Sequence, residues 1–195
     1  LMLKHLSVHP NDFVGAFRRL PRDLLKMFIH SVQSYLFNRI LSMRYKSGFP
    51  LNAAVPGDIA TPLDNNSPNN YTLVTEENVS RINEEIRSGK LGVSIPLIGY
   101  DSTLPINGPG ECVEKILREE ELAPGMFKLN SMPEISSRGM LRLVLLKVYD
   151  LKVLEISNDE YSENAFKLVV SFSLPKGGYA TIVLREFMKT DPVKY

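Results

Sequence analysis

The sequence predicts an α+β fold, on three observations. Apolar residues recur every three or four positions from Pro21 to about Arg44, the period of a buried helix face. Phe166, Leu168, Val170, Phe172 and Leu174 recur at every second position, the period of a strand. The segment LPKGGYATIVLRE then passes from strand into helix through Gly177 and Gly178, whose backbone freedom permits an abrupt turn. The expected order is a mostly helical part over residues 1–135, followed by strand, strand and helix over 136–195.

Asn11 is suited to cap a short helix, and Pro21 to open a long one that Gly48 and Pro50 close. Leu24, Phe28, Val32, Leu36, Ile40 and Met43 form the expected buried stripe of the long helix, widened by Leu25, Ile29 and Phe37. Residues 50–75 are rich in Pro, Asn and Gly, which favours turns, short strands and a mobile loop at DNNSPNN. Thr75 is placed to cap a helix EENVSRINEEIRSGK, with Val79, Ile82 and Ile86 on its inner face and Gly89 near its end. LGVSIPLIGYD reads as a strand interrupted by Pro96, and CVEKILREEEL as a helix with Val113, Ile116 and Leu117 inward. From Ser136 the chain becomes β-rich: RLVLLKVYDLKVLEI and AFKLVVSFSLP form a strand pair joined by the polar SNDEYSEN, and YATIVLREFMK is the closing helix. No internal repeat is visible.

A chain of 195 residues with 44% hydrophobic side chains can build a core, as one large domain or two small ones. Its one cysteine, Cys112, precludes a disulfide framework within the chain and makes a reducing compartment, the cytoplasm, the expected setting. No run approaches the roughly 18 to 20 apolar residues of a spanning helix, and LMLKHLSVHP lacks the parts of a signal peptide, so no membrane association is expected. The 23 Lys and Arg nearly balance the 22 Asp and Glu, but unevenly. Among residues 1–48, eight basic side chains (Lys4, Arg18, Arg19, Arg22, Lys26, Arg39, Arg44, Lys46) face two acidic ones (Asp12, Asp23), a local excess of about +6. Clustered cations of this kind are what phosphate neutralisation requires, and a solvated helix face is the ordinary alternative. Five glutamates over residues 111–121 oppose Lys115 and Arg118, the pattern of an exposed helix with local pairs.

His5 and His9 stand four apart, a metal-ligand spacing on a helix, but Pro10 follows and no third ligand lies near, so no metal is expected. Cys112 has no neighbouring base to activate it and reads as a small packing residue. A GxxxxGK phosphate loop, a GxGxxG after a strand and a GxSxG elbow are all missing, which leaves nucleotide-dependent and hydrolase chemistry without support.

The segment Leu174 to Glu186 (LPKGGYATIVLRE) resembles the C-terminal signature of the TruD family of tRNA pseudouridine synthases. FIHSVQSYLFNRILSMR (28–44) is similar to the family's long helix in an archaeal-like form, VPGD (55–58) to the element after it, and SRGMLRLVLL (137–146) to the Ser-Arg stretch before its last strands. The resemblance extends over nearly the whole chain.

It implies that a uridine in tRNA, position thirteen in the bacterial case, becomes pseudouridine with no cofactor consumed. The base is released from nitrogen, rotated and rejoined to the sugar through carbon, which requires a flipped base, an aromatic platform and an aspartate carboxylate. By the same resemblance Tyr179 is the base platform, and Arg185 orients the catalytic aspartate. Arg18, Arg19, Arg22, Lys26, Arg138 and Lys176 are the expected RNA contacts. The family's GxKDxxA-type motif, which carries that aspartate, and the NxFGxQRF-type element after it do not occur in these residues. The expectation is therefore the C-terminal half of a longer enzyme. Residues 1–135 would be its mostly helical inserted domain, and 136–195 the last strands and helix of its catalytic domain. The different expectation, which the missing aspartate keeps open, is a non-catalytic RNA-binding or interaction module. The oligomeric state is left open.

Overall fold

The computed structural model describes residues 1–63 and 70–189, and they form two compact units, Leu1–Leu145 and Leu146–Tyr195. The sequence-predicted loop at DNNSPNN lies, but for Asn70, outside the described residues. The first compact unit runs on to Leu145. The reason is a strand, Met140–Leu143, that hydrogen-bonds into the sheet of the first unit.

In the first unit, short helices α1 (Met2–Leu6) and α2 (Phe13–Phe17) precede the long α3 (Arg22–Lys46). The cap of α2 is Asp12, one residue beyond the expected Asn11, and its carboxylate accepts from the Gly15 N–H at 2.8 Å. Four antiparallel strands, β1 (Ile59–Pro62), β2 (Thr72–Leu73), β3 (Leu91–Leu97) and β4 (Met140–Leu143), lie in the order β2-β1-β3-β4. Pro96 does not interrupt β3, because it lies past the last β1 pair at Ser94, where the strand has a single neighbour. Helices α4 (Val79–Arg87) and α5 (Asn107–Glu119) complete the unit. Asn78, not Thr75, stands at the N-cap of α4, and its Oδ1 accepts from the Thr75 N–H at 2.9 Å.

The main core joins Leu36, Phe37 and Ile40 of α3 to Ile95, Ile98, Val113, Ile116, Leu117 and Phe127. Full burial of each such aliphatic side chain is worth about 1.5–3 kcal/mol. A second cluster packs Ile82 of α4 on Ala54, Ala60, Val74 and Val93. The inner face of α3 is Leu25, Gln33, Leu36, Phe37, Ile40 and Arg44. Phe28 and Val32 of the predicted stripe are instead exposed, because Gln33 takes the inward position and donates to the Ile98 carbonyl at 2.7 Å and to Ser137 Oγ at 2.8 Å. Helix α5 buries Val113, Ile116 and Leu117 and exposes Glu111, Glu114 and Glu119 as expected, but its glutamate pairs are not local. Glu119 and Glu120 reach across to Arg39 of α3, and Cys112 is buried.

In the second unit, β5 (Tyr149–Asn158) pairs antiparallel with β6 (Phe166–Ser173), and α6 (Ala180–Met188) follows. The apolar run RLVLLKVYDLKVLEI is therefore not one strand. Its first residues belong to β4 in the first unit and its last to β5 in the second. The predicted alternating face of β6 is not covered within its unit, with Phe166 75% exposed and Leu168 42%. Among the described residues no helix is long and apolar enough to cross a membrane.

Candidate functional site

The strand-to-helix junction of the second unit is built as the sequence leads one to expect. Leu174 and Pro175 follow β6, the Gly178 N–H donates to the Pro175 carbonyl at 3.0 Å, and Gly177 takes a φ of +89°, where a side chain would be strained. Tyr179 stands at the N-cap of α6 with extended backbone, and its carbonyl accepts from Ile182 at 3.1 Å. Tyr179 as a residue is 58% exposed. Arg185 lies further along α6 and is also exposed. Its neighbour Glu186 is taken by Lys189, whose ammonium lowers the glutamate pKa through their hydrogen bond. Among the described residues the Arg185 guanidinium forms no ion pair. The junction thus places an aromatic residue at the N-cap of α6 and a cation along that helix, together with the exposed Lys176 of the turn.

The basic residues of the first unit are less free than their spacing predicts. Arg18 donates through Nε to Glu134 Oε1 at 3.0 Å and through Nη2 to the Ser131 carbonyl at 2.9 Å, which holds the Glu134 carboxyl below the usual range. Arg22 bonds the Glu134 carbonyl at 3.1 Å. Arg19 donates to His5 Nδ1 at 3.3 Å, and His5 meets Asp12 through Nε2 at 2.9 Å. His9 lies beyond the end of α1 with its ring 5.1 Å from that of His5. Arg39 and Arg44 are each bound to carboxylates beyond residue 48. The excess of about +6 counted over residues 1–48 is therefore reduced by tertiary partners that local counting does not see. Lys26 is half-buried on α3.

Arg138 sits apart from these, in the loop before β4, and bonds Asp101 Oδ2 through Nη2 at 2.7 Å and Nε at 3.2 Å. That bond raises the arginine pKa further. Asp101 has the sequence context of a turn residue, and no local signal announces a partner 37 positions away. The described residues hold no group of three His, Cys, Asp or Glu able to bind a metal.

The family model for tRNA pseudouridine synthase D (TruD) matches residues 1–187. Two proteins named tRNA pseudouridine synthase D, from Methanococcoides burtonii and Methanosarcina acetivorans, are each 41% identical to this chain over 198 residues. Each match takes in 99% of this chain and 44% of the relative. A crystal structure described as a tRNA pseudouridine synthase D from Methanosarcina mazei superposes with a TM-score of 0.89 at 39% identity, over 100% of this chain and 45% of that one. The chain spans less than half the length of the curated relatives it matches. On the match to residues 1–187, the chain belongs to the TruD family of tRNA pseudouridine synthases.

Proposed function

We propose that these residues are part of a cytoplasmic tRNA pseudouridine synthase that isomerises a uridine of tRNA, position thirteen by family resemblance. The observation that carries this reading is the family match over residues 1–187, which includes the whole LPKGGYATIVLRE junction. In the reaction the N1–C1′ bond breaks, the base turns, and a C5–C1′ bond forms; C5 loses a proton and N1 regains one, so nothing is consumed. The carboxylate that starts this step lies outside these residues. Tyr179 supplies the face on which the extruded uracil rests, and Arg185 pairs with that aspartate, holding it ionised and oriented. Arg18, Arg19, Arg22, Lys26, Arg138 and Lys176 contribute the field that draws the tRNA backbone. The compact unit ending at Leu145 corresponds on this reading to the inserted domain, and the rest to the closing part of the catalytic domain.

The test is Arg185→Ala in the intact protein, with pseudouridine formation and tRNA binding measured separately. Turnover should fall by two or more orders of magnitude while tRNA affinity stays within about threefold, since a lost orienting contact acts on the transition state. Unchanged turnover removes Arg185 from the site. Salt-sensitive tRNA binding with no pseudouridine formed by the wild type favours a non-catalytic RNA-binding module.

A further inference from the structure

A cavity of about 320 Å³ opens beside Asp101 and Arg138, lined also by Ser102, Thr103, Gly139 and Met140. Its wall is two chain segments pressed backbone to backbone. The Tyr100 N–H donates to the Ser137 carbonyl and the Asp101 N–H to the Arg138 carbonyl, both at 3.0 Å. Gly139 has a φ of +85°, and a Cβ there would meet Ser102 Oγ at 2.2 Å and Gly99 N at 2.8 Å. Buried Gln33 secures Ser137 from behind, so the segment bearing Arg138 is fixed to the core.

The polar groups at the mouth are only partly used. Both Arg138 bonds fall on Asp101 Oδ2, which leaves Asp101 Oδ1 as an acceptor and Arg138 Nη1 as a donor among the described residues. The Thr103 hydroxyl has no partner there either. Both members of the pair are well exposed, with side chains 74% and 57% accessible, and an exposed pair adds little to stability. A carboxylate beside an arginine suits a ribose-phosphate unit, offering an acceptor for a hydroxyl and a donor for the phosphate.

We propose that this cavity is a nucleotide subsite, in which Asp101 accepts the 2′-hydroxyl of an RNA ribose and Arg138 donates to the adjoining phosphate. The inference rests on the tRNA reading above. It adds the class of group bound, the residue that distinguishes RNA from DNA, and a location in the first unit. Met140, 57% exposed, offers the apolar surface against which the same nucleotide packs.

The experiment is interference mapping on the intact protein. A tRNA transcript carrying scattered 2′-deoxynucleotides is partitioned by binding to wild type, Asp101→Ala and Arg138→Ala, and the bound and free pools are compared position by position. At one or a few positions a 2′-deoxy substitution should weaken binding to wild type by about 5- to 10-fold and leave binding to Asp101→Ala unchanged. Arg138→Ala should weaken binding and lower the salt slope by about one. If Asp101→Ala lowers the melting temperature, Asp101→Ser is compared in its place, since it also removes the carboxylate. Identical interference profiles for wild type and the Asp101 variant overturn the subsite and leave the tRNA reading intact. Failure of wild type to retain tRNA at low salt overturns both.

Discussion

Arg44 and Asp58 carry opposite charges where neither is expected. Their side chains are 2% and 1% accessible, and the pair is bidentate, with Nη2 to Oδ2 at 2.9 Å. Arg44 also donates to the Pro50 carbonyl at 2.7 and 3.1 Å, so its bonds stitch the end of α3 to the chain that enters β1, and Asp58 Oδ2 accepts from the Val55 N–H at 2.9 Å within that chain. Removing one partner of a buried pair leaves the other charge uncompensated, which typically costs about 3–5 kcal/mol. Asp58→Ala is therefore expected to lower the unfolding free energy by that order in urea titration. The double variant Arg44→Met, Asp58→Leu should lose less than either single one. Charge hid the burial of both residues from sequence reading, which counted Arg44 among clustered cations and left Asp58 in a stretch of turns and short strands. Periodicity did carry a signal. Arg44 follows Leu36 and Ile40 at intervals of four on the inner face, and spacing outweighs charge when a partner 14 residues away completes the bonds.

Helices were legible and sheet partners were not. The boundaries of α3 and the inward residues of α4 and α5 follow from repeats of three and four, which are local properties. Which strand pairs with which is a non-local choice. RLVLLKVYDLKVLEI holds no Gly or Pro to mark where it leaves one sheet for another, so its division between β4 and β5 could not be read. The five residues of α1 are too few to show a period. The start of α3 is tied to the 3-10 turn Pro133–Ile135 through Glu134, which binds Arg18 by its carboxylate and Arg22 by its carbonyl. Because the Arg18 hydrogen bond lowers the Glu134 pKa, the folded protein holds fewer protons there than the unfolded chain. The stabilisation is complete above the ordinary glutamate range and is lost as pH falls through the lowered value. Asp12, lowered first by the Gly15 N–H and then by His5, acts in the same direction. Glu134→Gln should therefore melt below wild type at neutral pH, and the gap should close in acid. A gap constant down to pH 3 would show that the carboxylate charge is not what ties Arg18, at the end of α2, to the turn.

At the scale of the molecule, the two units differ in how they satisfy the hydrophobic effect. The first holds every buried apolar residue of the described chain, most of them in three clusters served by α3, β3 and α5. The second holds none. Leu154, Ile156, Phe166, Ile182 and Phe187 all remain exposed, and a two-stranded ribbon with one helix has too little surface to enclose them. The sequence announced these residues correctly as strand and helix, since period and turn glycines are local. It could not announce whether their apolar faces meet partners within the same 195 residues. The same distinction governs the candidate site: Tyr179 and Arg185 could be read from a contiguous signature, whereas Asp101 becomes visible as the partner of Arg138 only once β3 and β4 pair. Burial of this kind makes a prediction about independence. A polypeptide of residues 1–145 should unfold cooperatively in urea, because its core is complete. A polypeptide of residues 146–195 should show no cooperative transition and should bind a hydrophobic dye strongly, because its apolar residues find no cover within the unit. A cooperative melt from the second polypeptide, at concentrations where it is monomeric, would mean that the ribbon and α6 stabilise themselves. The exposed apolar surface would then be free to serve as a contact face without being needed to hold the unit together.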